Sequence, residues 1–489
     1  MQKTKMIFTI GPSSDSEEVL TQFIQIGMNV ARLNFSHGTQ ETHKEKINLI
    51  KKIRTKLNTP TAIMLDIKGP KIRTHNFIND GVELKEGQNF IFKCNKEILG
   101  NNKECSISYS ELYKDVHIGG TILVDDGLIA FKIIDINRSD IICKVLNDGI
   151  IKNHKGVNVP NVSINLPSVT DKDKCDLIFG CKMGVDFVAA SFIRKSSDIK
   201  EVREILNSHN GNNIQIIAKI ENQEGVNNID SILQEADGIM VARGDMGVEI
   251  PIEKVPIIQK KIIRKCNESG KIVITATQML DSMIRNSLPT RAEACDICNA
   301  IFDGTDAIML SGESASGQYP IEAAKTMSKI AKETELHLDY NYLNQCLKEP
   351  AMYDFAEAIS YSTCRTSNVL NAKAIVAATN SGSTAKLVSK YKPKCPIVAI
   401  TPHEEVLRGL SLNFGVYPVL CQEFANTDDI LNESKKIVTK MNLANKLTIF
   451  RILLVPVIML IPIIDNLVGI PGEFLEISTA FWIMNIIFI

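Results

Sequence analysis

The sequence has no excess of charge of either sign. Its 489 residues include 55 Lys and Arg against 56 Asp and Glu, which gives a formal net charge of −1. This balance gives no sign of a nucleic-acid-binding surface or a polyanionic tail, so any strongly basic site must be local. We therefore expect the partners to be small molecules.

Two other features are also lacking. The N-terminal MQKTKMIFTIG enters a strand-like segment without the pattern of a signal peptide. The 12 Cys residues are thinly spread, and the close pair Cys295 and Cys298 has no second pair or His at metal-binding spacing. The expectation is buried, reduced thiols in a cytoplasmic protein.

The apolar pattern predicts an α/β fold of several domains. Short runs rich in Ile, Val and Met alternate with segments of helical period, as parallel strands and crossover helices do. The eight runs span 5–11, 29–35, 61–67, 185–191, 214–220, 237–243, 271–277 and 306–312. Eight strands close a β/α barrel, whose functional groups lie at the carboxyl ends of its strands.

The long gap after the third run predicts an inserted domain. Residues 71–168 contain short alternating stretches and many turn residues, which favour a small β-barrel acting as a lid. The catalytic barrel would then comprise 1–70 and 169–338. A shortened C-terminal α/β domain would follow at 339–441, and an apolar, helical tail at 442–489.

Charged residues follow the fifth and sixth predicted strands. Lys219 and Glu221 are two residues apart and therefore point to the same face. Gly244 and Asp245 follow the sixth strand. The carboxylates of Glu221 and Asp245 could hold Mg²⁺ together with substrate oxygens and water. An internal ion pair and a solvated Asp245 are the alternatives.

The second and third strand ends are rich in cations. They supply Arg32, Asn34, Ser36, Asp66, Lys68, Lys71 and Arg73. A local cationic cleft in a protein without net charge suits phosphate esters, and Arg32 offers a planar, bidentate ligand. A solvated loop is the alternative. The carboxyl ends of the seventh and eighth predicted strands add Thr277, Ser311 and Glu313, which could relay a proton. The alternative is that the segment from Ser311 to Glu313 is an ordinary helix start.

Taken together, these segments resemble the signatures of the pyruvate kinase family. The matching stretches are RLNFSHG, LDIKGPKIRT, KIENQEG, MVARGDMGVEI and ATQMLDSM followed by PTRAE. The resemblance runs from residue 1 to about 440. It implies a cytoplasmic, glycolytic enzyme that transfers a phosphoryl group from phosphoenolpyruvate to ADP, giving pyruvate and ATP. It also implies Mg²⁺ or Mn²⁺, a K⁺ site and a homo-oligomer, in the family a tetramer.

The resemblance also assigns roles to the site residues. Arg32 and Arg73 would hold the transferring group, Lys219 would stabilise the charge on the bridging oxygen, and Glu221 with Asp245 would bind Mg²⁺. Substrate binding would fall to Arg32, Ala242, Arg243, Gly244, Asp245 and Thr277, nucleotide binding to Asn34, His37, Arg73 and Lys155, and proton transfer to Thr277, Ser311 and Glu313. The alternatives are a Mg²⁺-dependent barrel aldolase of phosphoenolpyruvate or pyruvate, and an inactive, membrane-tethered chimera.

One departure from the family concerns K⁺. The monovalent-cation position falls on Asn34, Ser36, Asp66 and Ile67. Lys71 stands where family members that need K⁺ have Glu, and its fixed ammonium could replace the ion. The sequence therefore predicts K⁺-independent activity.

Two further departures lie in the last part of the chain. The third domain has strand-like runs at 374–380, 395–401 and, more weakly, 416–421, and its segment 380–387 resembles a phosphate-holding turn. Because the family's closing strands are missing, we expect weak or absent activation by fructose 1,6-bisphosphate.

The tail resembles the N-terminus of a CDP-diacylglycerol–glycerol-3-phosphate 3-phosphatidyltransferase. It lacks the catalytic Asp-rich motif of that enzyme, so we expect no second activity. Its two apolar runs are shorter than the ~20 residues of a membrane-spanning helix. Membrane contact through 446–489, an interfacial anchor and an aggregation-prone end all stay open.

Overall fold

The computed structural model describes residues 1–340, 343, 354–423, 427–440, 473–474 and 477–478. The chain divides into two compact units, one of which spans Gln2–Leu338 and the other Asp339 onward together with Met1.

The first unit holds most of the strands. In chain order they are β1 (Lys5–Thr9), β2 (Val30–Asn34), β3 (Ala62–Asp66), β4 (Ile72–Arg73), β5 (Gly81–Leu84), β6 (Asn89–Lys93), β7 (Glu104–Ser106), β8 (Thr121–Val124), β9 (Ile129–Asn137), β10 (Asp140–Val145), β11 (Gly149–Lys152), β12 (Gly156–Asn158), β13 (Phe187–Ala190), β14 (Gln215–Ile220), β15 (Gly238–Ala242), β16 (Ile272–Ala276) and β17 (Ala307–Leu310).

The helices of this unit mostly connect the parallel strands. They are α1 (Glu17–Ile26), α2 (Gln40–Leu57), α3 (Leu112–Asp115), α4 (Asp171–Met183), α5 (Ser196–Asn207), α6 (Gln223–Asn227), α7 (Ile229–Glu235), α8 (Arg243–Glu249), α9 (Val255–Ser269), α10 (Arg291–Phe302), α11 (Gly312–Ala315) and α12 (Pro320–Leu336), with 3₁₀ turns at Ile78–Asp80, Ile252–Lys254 and Asp281–Ile284.

Eight parallel strands close into a barrel, which confirms the central prediction of the sequence. Their order is β1-β17-β16-β15-β14-β13-β3-β2, and each lies within one of the eight predicted runs. Their side chains are almost all buried, because helices cover the outside and side chains fill the interior. The parallel direction brings the residues after all eight carboxyl ends to one face.

Caps in the sequence fix where the crossover helices begin and end. Thr39, Thr170 and Thr290 each form a capping box at the start of α2, α4 and α10. Gly184 and Gly270 end α4 and α9 in the left-handed conformation that glycine adopts readily. These signals set the length of each crossover and thus the return of the chain to the next strand.

The segment between β3 and β13 forms a second sheet. Its seven strands lie in the order β4-β12-β8-β9-β10-β6-β7, while β5 pairs separately with β11. An isolated antiparallel bridge between Thr74 and Ile107 joins the two edges, so the sheet closes on itself. Phe90, Phe92 and Phe131 fill its core with ring centroids 5.0 to 5.3 Å apart. The segment is thus mainly antiparallel β-structure, and the small β-barrel lid stays a prediction.

The second unit contains a parallel three-stranded sheet. Its strands are β18 (Ile375–Ala378), β19 (Ile397–Thr401) and β20 (Val416–Leu420), and its helices are α13 (Phe355–Val369), α14 (Ser383–Lys390), α15 (Glu404–Gly409) and α16 (Thr427–Lys440). All three strands fall on predicted runs. Buried Tyr391, Ile397 and Leu410 belong to the core on one side, and Ile400 and Ile437 to a separate one.

The predicted tail lies outside the described residues, apart from two short paired strands, Glu473–Phe474 and Ile477–Ser478. Its resemblance to a phosphatidyltransferase and its predicted membrane contact fall on the same undescribed part. Among the helices that the structure describes, none has the length and hydropathy needed to cross a membrane.

Candidate active site

Lys219 lies at the carboxyl end of β14 and is 9% exposed. Its Nζ lies 3.0 Å from Glu221 Oε1 and 3.3 Å from Asp66 Oδ1, and donates a hydrogen bond of 2.7 Å to Ser191 Oγ. Burial opposes the charged form, but the two carboxylates outweigh it and raise the pKa of Lys219. The site therefore contains a buried ammonium that is charged at neutral pH.

Arg32 is the second buried cation. Its Nε donates to Asp66 Oδ2 at 2.6 Å, and its Nη1 donates to Thr9 Oγ1 at 2.8 Å. Burial tends to raise the pKa of Asp66, but the charges of Arg32 and Lys219 outweigh it, and the pKa is lowered. One carboxylate thus holds two cations side by side, an arrangement suited to an anionic substrate.

Glu221 is fully buried, and one of its oxygens makes no hydrogen bond. Oε2 accepts the N–H of Phe192 at 2.6 Å, and Phe192 has a left-handed backbone with φ 56°. Oε1 has no hydrogen-bond partner in the described part of the chain, although Lys219 Nζ is 3.0 Å away. Burial and, to a smaller extent, the charge of Asp245 raise the pKa of Glu221 against the pull of Lys219. Such an oxygen, close to a second carboxylate, fits a divalent cation.

Asp245, in the first turn of α8, is that second carboxylate. Lys71 Nζ donates to its Oδ1 at 3.0 Å and lies 3.6 Å from Asp126 Oδ1 in the turn between β8 and β9. Burial lowers the pKa of Lys71, but Asp245 and the weaker carboxylate charges raise it overall. No hydrogen bond among the described residues joins Lys71 to Asn34 or Ser36. The ammonium therefore faces the expected Mg²⁺ carboxylate and does not bind the residues of the K⁺ position.

No group of three or more His, Cys, Asp or Glu side chains that could hold a metal occurs among the described residues. A metal held by Glu221 and Asp245 would therefore take its other ligands from substrate and water, as Mg²⁺ commonly does.

The Cys295 thiol is exposed on α10, so the prediction that the pair Cys295 and Cys298 is buried was wrong for Cys295. The helical turn there places residue 295 on the outer side of the barrel.

The junction of β15 and α8 is tied to the end of β16. Ala242 precedes α8, and the N–H of Gly244 donates to Thr277 Oγ1 at 2.8 Å. Thr277 Oγ1 donates in turn to Ala276 O at 2.6 Å. Thr277 has φ 66°, which is rare for a β-branched residue and is found mainly where the surrounding structure enforces it.

The Arg243 side chain is fully engaged away from any substrate. Its Nη1 donates to both carboxylate oxygens of Asp296 at 2.6 and 2.7 Å, and its Nη2 donates to Thr277 O at 2.6 Å. The Arg243 guanidinium therefore links α8 to α10 and β16, which leaves the Arg243 backbone for the predicted contact with the substrate.

The structure does not join Glu313 to Thr277. Glu313 Oε1 accepts the N–H of Leu280 at 3.1 Å, and Oε2 accepts the N–H of Ser311 at 2.7 Å. Ser311 Oγ is buried and has no hydrogen-bond partner in the described part of the chain. Glu313 therefore orders two backbone segments.

The loop after β2 lines a separate cavity of about 900 Å³. Asn34 and His37 contribute to its wall, together with Lys46 of α2. Asn34 Oδ1 accepts the N–H of Ser36 at 3.1 Å, so the two residues form a local turn. The N–H of Ile67 donates to Ala189 O, and the carbonyl oxygen of Ile67 accepts a hydrogen bond of 2.6 Å from Ser191 Oγ.

Arg73 and Lys155 belong to the inserted sheet. Arg73 Nη1 donates to His154 O at 2.9 Å, whereas its Nε is buried and has no hydrogen-bond partner within the described residues. Lys155 Nζ lies 2.8 Å from Asp125 Oδ1. Neither residue lines the cavity beside Asn34 and His37, so the structure does not join the two predicted groups of nucleotide contacts directly.

Sequence reasoning missed Thr9, Ser191 and Phe192. Thr9 and Ser191 stand in the first and fourth predicted runs, so a search for polar residues at strand ends would have found them. Phe192 acts through its backbone N–H, and side-chain identity gives no signal for that role.

The closed barrel, with cations and carboxylates at the carboxyl ends of its strands, defines the class of protein: a β/α-barrel enzyme whose site suits an anionic substrate. Comparison with known proteins gives the family. The model of the pyruvate kinase barrel domain matches residues 1–324, and that of the pyruvate kinase alpha/beta domain matches residues 357–450.

Several relatives match nearly the whole chain. Pyruvate kinase of Clostridium perfringens is 66% identical over 446 residues, which cover 91% of this chain and 94% of that protein. Pyruvate kinase of Clostridium acetobutylicum is 57% identical over 434 residues, covering 89% and 92%. A crystal structure of a pyruvate kinase from Cryptosporidium parvum superposes with a TM-score of 0.88 at 41% identity, covering 91% and 92%.

The chain belongs to the pyruvate kinase family. It is a phosphotransferase with the activity of that family, phosphoryl transfer from phosphoenolpyruvate to ADP, giving pyruvate and ATP. The two alternatives, an aldolase and an inactive chimera, receive no support.

Proposed function

We propose that the phosphoryl transfer takes place at the barrel mouth with Lys219 at its centre. The observation that carries this proposal is the buried ammonium held between Asp66, Glu221 and Ser191. In that position Lys219 stabilises the negative charge that builds on the bridging oxygen as the phosphoryl group leaves. Because its partners fix it in advance, little reorganisation is needed when that charge develops.

Arg32 and Arg73 bind the phosphoryl oxygens, and Glu221 with Asp245 holds the Mg²⁺ or Mn²⁺. When bound, the metal neutralises charge on the substrate oxygens. Glu221 Oε1 supports this role, because it is buried, makes no hydrogen bond in the described part of the chain and shares the charge of Lys219 Nζ, 3.0 Å away, with Asp66.

The backbone of Ala242, Arg243 and Gly244 binds the carboxylate of the substrate, next to Thr277. Thr277 and Ser311 then deliver a proton to the enolate carbon through water. Glu313 acts on this route as a positioning residue, because both of its oxygens are used by backbone N–H groups.

The nucleotide lies between the loop of Asn34 and His37 and the inserted sheet, which contributes Lys155 and Arg73. Movement of this sheet as a lid completes the site and excludes water. The cavity beside Asn34 and His37, which is lined by barrel residues, supports the contact with this loop, since its volume of about 900 Å³ can hold a nucleoside.

K⁺ is not required in our proposal, although Asn34, Ser36, Asp66 and Ile67 keep the monovalent-cation position. Lys71 brings a positive charge to the site by its contact of 3.0 Å with Asp245. The Lys71 ammonium lies beside Asp245, the proposed Mg²⁺ ligand. The sequence predicts this positive charge at the K⁺ position instead.

We assign the domains of the enzyme with the bounds predicted from the sequence. They are a catalytic barrel at 1–70 and 169–338, a lid at 71–168, a shortened C-terminal domain at 339–441 and a tail at 442–489. We place the enzyme in the cytoplasm and expect a homo-oligomer.

A coupled assay of pyruvate formation with Lys219→Met tests the central proposal. We expect kcat to fall by about a hundredfold or more, because a preorganised transition-state charge is lost. Lys200→Met is the matched control, because Lys200 lies on α5 and pairs at the surface with Glu235. Equal rates for the wild type and Lys219→Met would refute the assignment.

A further inference from the structure

The inserted sheet contacts the barrel through a hydrogen bond that the known reaction does not explain. Asn158 is the last residue of β12 and Glu249 is the last residue of α8. Asn158 Nδ2 donates to Glu249 Oε1 at 2.7 Å. Asn158 is 4% exposed, and Glu249 is partly buried. A hydrogen bond between a neutral donor and a carboxylate is stronger than one between two neutral groups.

The other end of α8 belongs to the active site. Gly244 and Asp245 form its first turn, and Lys71 joins Asp245 to Asp126 of the inserted sheet. A single helix of the barrel is therefore tied to the sheet at both ends. Any shift of the sheet against α8 therefore changes the position of Asp245, the carboxylate that is expected to hold the metal.

The contact between Asn158 and Glu249 is separable from the connection where the chain re-enters the barrel. There, the Arg194 guanidinium donates to the carbonyls of Ile164 and Leu166. Between this connection and the Asn158 contact lies a cavity of about 540 Å³, lined by Asn158, Glu249 and Arg194. Because a cavity replaces close packing here, the hydrogen bond can break without disrupting a core.

The position of Lys155 depends on the same strand. Lys155 directly precedes β12, and its N–H donates to Thr74 Oγ1 at 2.9 Å. Since β12 is paired on both sides with β4 and β8, Asn158 and Lys155 move together. Holding one end of β12 fixes the other.

We propose that Glu249 is a positioning residue that latches the inserted sheet to α8 through Asn158 and so fixes Lys155 for the nucleotide. This inference rests on the proposed nucleotide role of Lys155. Glu249 touches neither substrate nor metal. Its loss should weaken the binding of ADP more than that of phosphoenolpyruvate, whose proposed contacts lie on the barrel apart from Arg73.

Three variants test the latch. Asn158→Asp places two carboxylates against each other, and Glu249→Ala removes the acceptor. Each should raise the KM for ADP by about tenfold, the scale of a lost hydrogen bond to a charged group, and change the KM for phosphoenolpyruvate by less than about twofold. In the double variant Asn158→Asp with Glu249→Gln, the amide of residue 249 can donate to the new carboxylate. This swap should restore the KM for ADP to within about threefold of the wild type.

Hydrogen exchange of residues 149–160 gives a second readout, because an open latch should speed exchange in the two single variants but not in the swap. The latch is refuted if the swap is as impaired as Asn158→Asp, or if both KM values rise together. Lys155→Ala separates this from the proposed function. If it leaves the KM for ADP unchanged, the nucleotide role of Lys155 is wrong, and the exchange data alone decide whether the latch exists.

Discussion

Two buried lysines of the barrel have pKa values shifted in opposite directions. Lys219 is held by two carboxylates, and its pKa is raised. Lys5, at the start of β1, is equally buried, but burial outweighs its attraction to Glu335 and lowers its pKa to about 8. The number of nearby carboxylates therefore decides whether the pKa of a buried ammonium is raised or lowered.

The Lys5 shift predicts a pH-dependent stability. Because its folded pKa lies below the unfolded value of 10.5, the free energy of unfolding should rise as pH increases from about 8 to 10.5. Lys5→Met should remove a rise of about 3 kcal/mol. Urea unfolding of both proteins at pH 7 and pH 10 measures it, with Lys200→Met as a surface control. The same rise in Lys5→Met and in the wild type would contradict the prediction.

Lys71 predicts the response to K⁺. With K⁺ replaced by tetramethylammonium, the steady-state rate should stay within about tenfold, because the ammonium on Asp245 remains in place. Lys71→Glu removes that charge and should make the rate depend on K⁺. A drop of about a hundredfold in the wild type, ~3 kcal/mol of barrier, would refute this.

At the scale of elements, the Arg243 guanidinium connects three of them. It links the start of α8, the end of β16 and α10 by contacts to Thr277 and Asp296. Thr277 is held there in a left-handed conformation. The geometry of the proposed site for the substrate carboxylate therefore depends on an ion pair outside it.

Asp296→Ala should destabilise the protein by about 2 to 4 kcal/mol, because the buried Arg243 charge loses its carboxylate. The rate should fall as well, since α8 loses its anchor. Glu111→Ala, which removes an exposed pair with Lys114, is the control and should change the free energy of unfolding by less than about 0.5 kcal/mol. Urea unfolding compares them. Equal losses in both variants would show that the Arg243 pair has no special structural role.

The sequence predicts the barrel well for a physical reason. Strands buried on both faces appear as continuous apolar runs, and a parallel barrel brings their ends together. Lys219, Asp66 and Arg32 could therefore be assigned to one site. The contact of Lys71 with Asp245 could not, because it joins residues 174 positions apart and depends on how α8 packs. The use of Glu313 by backbone N–H groups is equally invisible in side-chain identities.

For the molecule as a whole, the residues proposed for the reaction and the predicted phosphate-holding turn fall in different units. The residues placed in the reaction lie in the unit Gln2–Leu338, whereas the phosphate-holding turn predicted at 380–387 lies in the other. In that turn Gly382 has φ 85° and donates its N–H to Thr379 Oγ1 at 2.9 Å, and Ser381 Oγ bonds Ser383 Oγ at 3.1 Å. Local hydrogen bonds thus use two donors of this turn, the N–H of Gly382 and the hydroxyl of Ser381.

Fructose 1,6-bisphosphate should accordingly have little effect on the enzyme. Activation requires the ligand to bind differently in two states, and a turn in which two donors are already used locally offers little differential affinity. We expect the half-saturating concentration of phosphoenolpyruvate to change by less than about twofold over a titration with the sugar phosphate. A steep fall in that concentration would refute the expectation. If the fall were also abolished by Ser383→Glu, which places a negative charge in the turn, it would locate the effector site at 380–387, because the carboxylate would repel the phosphate there.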